Sequence, residues 1–97
     1  MIEPPAVLDG ATVLWVTPTS PDMSYGFDWV VNENQFEPIS ALAICQYPGK
    51  DYFNVFACNA QWRVKGDQVY NSVDEAKIGS EQIYETAPIY WVRLRDN

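Results

Sequence analysis

Cys45, Cys58 and thirteen carboxylates are the residues of this 97-residue chain whose types could do chemistry, and there is no histidine to work with them. Serine or cysteine nucleophiles ordinarily need an adjacent base, most often histidine, so nucleophilic catalysis loses its usual partner. The two cysteines are thirteen residues apart, which matches no zinc spacing, and no imidazole is available to complete a mixed site. Paired carboxylates can perform acid–base work on glycosides. The adjacent pair here, Asp74 and Glu75, is accounted for by a helix start, and the other acids are scattered. The five glycines, at 10, 26, 49, 66 and 79, stand apart from one another and form no phosphate cradle. "YFNVF" (52–56) with Arg63 and Lys65 nearby has the aromatic and basic ingredients for stacking single-stranded bases. Two cations in so acidic a chain favour core packing instead. Arg93 and Arg95 read as a solvated strand end paired with acids. The expectation is a non-enzyme with no cofactor and no metal.

Thirteen Asp and Glu against six Lys and Arg give a net charge of -7, which opposes a grip on nucleic acid or on an anionic membrane. No stretch approaches the roughly 18 consecutive apolar residues of a membrane span. "MIEPPAVLDG" lacks the charged start and apolar run of a secretion signal, so a cytoplasmic protein with reduced thiols is expected. The charge is also uneven. No Lys or Arg precedes Lys50, while Glu3, Asp9, Asp22, Asp28, Glu33 and Glu37 are all acidic. A solvated surface is the bland reading of such a half, and attraction to a basic partner is the sharper one.

Within that half, "SYGFDWVVNENQFEP" (24–38) is unusually aromatic. Tyr25, Phe27, Trp29 and Val31 recur at every second position, as in a strand that buries one face. Alternation then gives way to the polar tip "NENQFE". Trp and Tyr are effective interface anchors. The candidate partner-binding residues are therefore Asp28, Asn32, Glu33, Asn34, Gln35 and Glu37, with Tyr25 and Trp29 as anchors.

The elements that must position these residues follow from periodicity and turn signals. "ATVLWVT" (11–17) reads as a strand that stops at Pro18. "ISALAICQY" (39–47) and "YFNVFAC" (52–58) flank the turn "PGKD" and read as a hairpin with Tyr47 across from Tyr52. That register puts Cys45 opposite Asn54 and Cys58 roughly 13 Å further along, too far for a disulfide. "WRVKGDQVY" (62–70) adds a third strand, with Cys58 expected opposite Trp62 and Phe56 opposite Val64. Leu42, Ile44, Phe53 and Val55 share the other face, with Arg63 and Lys65 towards its edge. Ser72 with Glu75 forms a capping box, and Val73, Ala76, Ser80, Ile83 and Tyr84 line one stripe of a helix over about 73–85. Pro88 blocks its extension, and Gly79 weakens it by roughly 1 kcal/mol relative to alanine. "IYWVRL" (89–94) has the composition of a returning strand.

The sum is one α+β domain over 1–97, an antiparallel meander of about five to six strands with one main helix packed on one face. Residues 1–10, with Pro4 and Pro5, read as an extended arm. Both sheet faces are apolar. The helix covers one, and the other requires the N-terminal segment or a second subunit.

From Ala41 to Trp91 the order "LAICQY", "FACNAQW", "NSVDEAK" and a late tryptophan resembles short uncharacterised bacterial accessory proteins, of the mobile-element or immunity type. The resemblance implies a hairpin ending in Cys and Trp, a strand, an S-x-x-E-A-K helix start and a closing segment, and it carries no catalytic residue. With the charge pattern, it leads to the expectation of a small non-catalytic binding protein that docks a basic protein partner. The alternative is a homodimer or small-ligand binder that uses an apolar sheet face.

Overall fold

Two central strands set the architecture. β-Branched and aromatic residues at Ala41–Gln46 and Phe53–Cys58 favour extended backbone, and every side chain of the two strands except that of Gln46 is buried. The structure is a computed structural model that describes residues 3–18, 27–30, 35–84 and 89–95, with the backbone alone for 27–30, 35 and 36. Its elements in chain order are β1 (Val7–Leu8), β2 (Ala11–Val16), β3 (Phe27–Val30), β4 (Gln35–Pro38), β5 (Ala41–Gln46), β6 (Phe53–Cys58), β7 (Val64–Tyr70), α1 (Val73–Ile83) and β8 (Val92–Arg93). Six strands form a curled antiparallel sheet ordered β1-β2-β5-β6-β7, with β8 pairing β2 beyond β1, while β3 and β4 form a separate two-stranded sheet.

The expected α+β fold, with one helix packed on the sheet, is the fold observed. Cys45 lies opposite Asn54 as the "PGKD" turn requires, and both cysteines are free and buried. The segment 89–94 returns to the sheet, with Arg93 across from Trp15 and Val92 across from Val16. From Val7 on, the stretch expected as an arm is tied into the sheet. Asp9 and Gly10 take φ values of 50° and 83°, the left-handed turn that matches strand twist in a two-residue hairpin. Leu8 thereby enters the core, and the Tyr47 phenol donates to Asp9 Oδ2 at 2.7 Å. That bond pushes the phenol's pKa up to about 12.

The register of β7 differs from expectation. Cys58 pairs with Val64 and Phe56 with Asp67, with a bulge at the Cys58 end, so the strand starts at Val64 rather than Trp62. Trp62 instead turns through a φ of 62° and is buried in the loop before the strand. The cause is Asn59, whose Oδ1 accepts from the backbone N–H of both Gln61 and Arg63 at 2.9 Å. This side-chain turn lengthens the loop beyond "NAQ". Since Gly66 pairs with Ala57 and Asp67 with Phe56, alternation carries Lys65 to the Phe56 side, away from the face expected for it.

Both apolar faces are buried within the chain. One cluster joins Leu42, Ile44, Phe53 and Val55 to Leu14, Ala76 and Ile89, and the other joins Ala43, Cys45, Phe56 and Cys58 to Leu8, Val13, Val16 and Trp62. A bulge in β2 between Val13 and Trp15 lets this strand serve both. Val13 faces the second cluster, while Leu14 and Trp15 turn towards the helix.

Ser72 caps α1 by accepting from Glu75 N–H at 3.0 Å, whereas the Glu75 carboxylate reaches Asn71 N–H at 3.2 Å, one residue before the expected partner. Ala76 and Ser80 are the buried residues of the helix. The Ser80 hydroxyl is satisfied by Ala76 O at 2.7 Å. Ile83, expected on the buried stripe, is instead 48% exposed, because the helix ends there and Tyr84 departs from helical geometry. None of the described helices is long and apolar enough to cross a membrane.

Gly79 has a packing role that its helix propensity hides. A β-carbon there would collide with the Tyr70 ring, which packs beside the helix on the β6–β7 side. Gly79→Ala should therefore destabilise the protein by up to about 1 kcal/mol, because the end of the half-buried Tyr70 ring must swing aside, although alanine is the better helix former by about 1 kcal/mol. In a Tyr70→Ala background the same change should become stabilising. Urea unfolding of the four variants in the cycle checks the reversal of sign.

Candidate functional site

The acidic aromatic segment becomes a hairpin. The alternation of Phe27, Asp28, Trp29 and Val30 against Gln35, Phe36, Glu37 and Pro38 gives a four-pair ladder, in which Asp28 stands opposite Glu37 and Trp29 opposite Phe36. Val30 pairs with Gln35, so residues 31–34 connect the strands. Of the expected site residues, Asp28, Trp29, Gln35 and Glu37 thus belong to one small sheet. Tyr25, Asn32, Glu33 and Asn34 lie outside the described residues.

Glu37 ties this hairpin to the main sheet. Asn59 Nδ2 donates to Glu37 Oε1 at 2.7 Å, and Lys65 Nζ sits 3.1 Å from Oε2. The same Asn59 organises the loop that buries Trp62, so one carboxylate holds β4, the β6–β7 loop and the start of β7 together. The bond from Asn59 first, then that from Lys65, holds the Glu37 carboxyl below the ordinary glutamate value of 4.5. The sequence points to Glu37 as a partner-binding residue and gives no sign that Asn59 and Lys65 hold it within the chain. An Asn at the end of a strand before a short turn was the available signal for Asn59, while Lys65 required the β7 register.

A second feature lies on the helix-bearing face. Lys77 Nζ is 3.5 Å from the centre of the Trp15 ring and the Arg93 guanidinium carbon 5.7 Å from it. With Phe53, Val73 and Asp74 these residues line an open depression of about 340 Å³. The sequence showed Trp15 as a strand residue and Arg93 as a solvated end. Their convergence depends on β8 pairing with β2.

The cysteines offer no nucleophile. Burial pushes both thiols up, Cys58 to about 12, so each is a neutral apolar side chain near pH 7. Among the described residues no three of Cys, Asp and Glu gather to hold a metal ion. No family model, curated protein or solved structure matches the chain.

The Glu37 linkage has a definite pH signature. Its folded pKa is depressed, so its contribution is fully present above the ordinary glutamate value and is lost as pH falls through the lower folded value. Glu37→Gln should cost about 0.2–1 kcal/mol at pH 7, the range for a solvent-screened ion pair, because the amide oxygen can still accept from Asn59. The difference from wild type should shrink as pH falls below the ordinary glutamate value of 4.5. Chemical denaturation at pH 7 and at about pH 3.5 provides the comparison.

Proposed function

We propose that this chain is a small non-catalytic binding protein whose acidic hairpin β3–β4 docks a basic protein, in the manner of an immunity or inhibitor-like accessory protein. The observation that supports this most is the cross-strand pairing of Asp28 with Glu37. Like charges directly opposite one another destabilise a ladder, and an isolated two-stranded sheet is marginal by itself. A cation brought to this pair relieves the repulsion. Lys65 already does so in part by holding Glu37, which leaves Asp28, with Glu33 five residues on in the sequence, as the charges for a partner's lysines or arginines. Carboxylates placed this way accelerate encounter by steering and make association sensitive to salt. The apolar faces of the main sheet are buried within the chain, so the docking reading is preferred to a dimer formed through a sheet face.

Glu37 has a structural role, so the test spares it. Immobilised wild-type protein should retain a basic protein from native extract at low salt and release it as salt rises. Asp28→Asn with Glu33→Gln should reduce retention at least about tenfold, the scale of losing one or two charge pairs. Equal retention by the double variant, or no basic protein retained by the wild type, overturns the proposal.

A further inference from the structure

The Glu37 carboxylate is divided between a fixed partner and a replaceable one. Its Oε1 accepts from Asn59 Nδ2 at 2.7 Å. Asn59 is itself buried and bonded through Oδ1 to two backbone N–H groups, so that oxygen is anchored to the β6–β7 loop. The other oxygen, Oε2, meets Lys65 Nζ at 3.1 Å, and the Lys65 and Glu37 side chains are 21% and 25% exposed. A lysine is a point charge on a flexible stem, so a cation from outside can compete with it. Asp67 stands two residues beyond Lys65 and opposite Phe56, and the bulge at Cys58 carries Lys65 to that same side of β7. Two residues of strand span about 7 Å, within the reach of a lysine side chain. Asp67 Oδ1 accepts from Asn54, and its second oxygen can receive the ammonium.

We propose that Lys65 is a built-in competitor for the partner's cation, an inference that rests on the hairpin's docking a basic protein. On docking, an arginine of the partner takes Glu37 Oε2 and Lys65 swings to Asp67. The Asn59 bond to Oε1 persists, so the hairpin keeps its place while the cations exchange. Arginine is the fitting occupant. Asp28 stands opposite Glu37, and directly opposed residues carry their β-carbons about 4.5–5.5 Å apart on one face, a spacing suited to the several donors of one planar guanidinium. Lys65 thereby sets specificity. A protein offering one isolated cation gains little, because it only replaces a cation already present. A cluster of arginines gains the further carboxylates as well, so weakly basic proteins are rejected.

The test titrates the full chain with end-capped tetra-arginine and tetra-lysine peptides at about 0.1 M salt, where the screening length is about 10 Å. Backbone amides and the Lys65 side chain are followed by NMR. Tetra-arginine should bind saturably and more tightly than tetra-lysine, with the Lys65 side-chain signals and the Glu37 amide moving in step. Lys65→Met should tighten tetra-arginine about three- to fivefold, the scale of one partly screened ion pair. Lys65→Arg keeps the charge and strengthens the internal contact, so it should weaken the peptide several-fold. Lys50→Met removes the same charge from the β5–β6 turn, at the opposite end of β6 roughly 20 Å away, and should change binding less than about twofold. Exchange is overturned if the Lys65 signals stay in place at saturation, if Lys65→Met acts no more strongly than Lys50→Met, or if Lys65→Arg fails to weaken binding. The docking reading survives those results when Asp28→Asn with Glu33→Gln still weakens tetra-arginine. If tetra-arginine saturates neither wild type nor Lys65→Met, docking and exchange fall together.

Discussion

The sheet has no wet face at its centre, and the remaining elements answer that constraint. Side chains alternate along β5 and β6, so Leu42, Ile44, Phe53 and Val55 point one way while Ala43, Cys45, Phe56 and Cys58 point the other. Each large apolar side chain removed from water contributes roughly 1.5–3 kcal/mol, but only when a neighbour fills the space above it. A chain of this length has few elements to spare. The bulge at Leu14 therefore makes β2 serve both sides. Trp62 is turned inward from a loop, and α1 lies close to the sheet through the small side chains of Ala76 and Ser80 with Gly79 against Tyr70.

Electrostatics follow from the same shortage. The cations described in contact with other groups act at fixed points: Lys65 binds the Glu37 carboxylate, and Lys77 and Arg93 flank Trp15. The acids at Glu3, Asp51, Asp67, Glu75 and Glu81 face solvent. The negative field of the molecule is therefore broad, while its positive charge is local. The acidic hairpin proposed to dock a basic protein belongs to that broad field.

Several features were legible before the structure. "PGKD" dictated the β5–β6 register, Ser72 with Glu75 marked the start of α1, and the two-residue period of 25–31 marked β3. Asp9–Gly10 between Leu8 and Ala11 is an equally clear hairpin signal, although the two prolines before it favour an extended arm. The slip in β7 was harder to foresee. It depends on Asn59 bonding two backbone N–H groups at once, and a short loop with an inward-turned tryptophan resembles a tight turn when only residue types are considered.

Local preference and alternation therefore determined which stretches are strands, where the helix begins and that both central faces are apolar, and the order of residues alone shows that no cation precedes Lys50. These are properties of consecutive residues. Tertiary structure decided what each charge meets. Glu37 finds Lys65, 28 positions further along the chain, through register and loop geometry, and Trp15 finds Arg93 because a two-residue strand near the C-terminus pairs with β2. No local signal encodes such pairs. They arise when burial of the sheet on both sides fixes the register of every strand, and the side chains at the edges are carried to their partners with it.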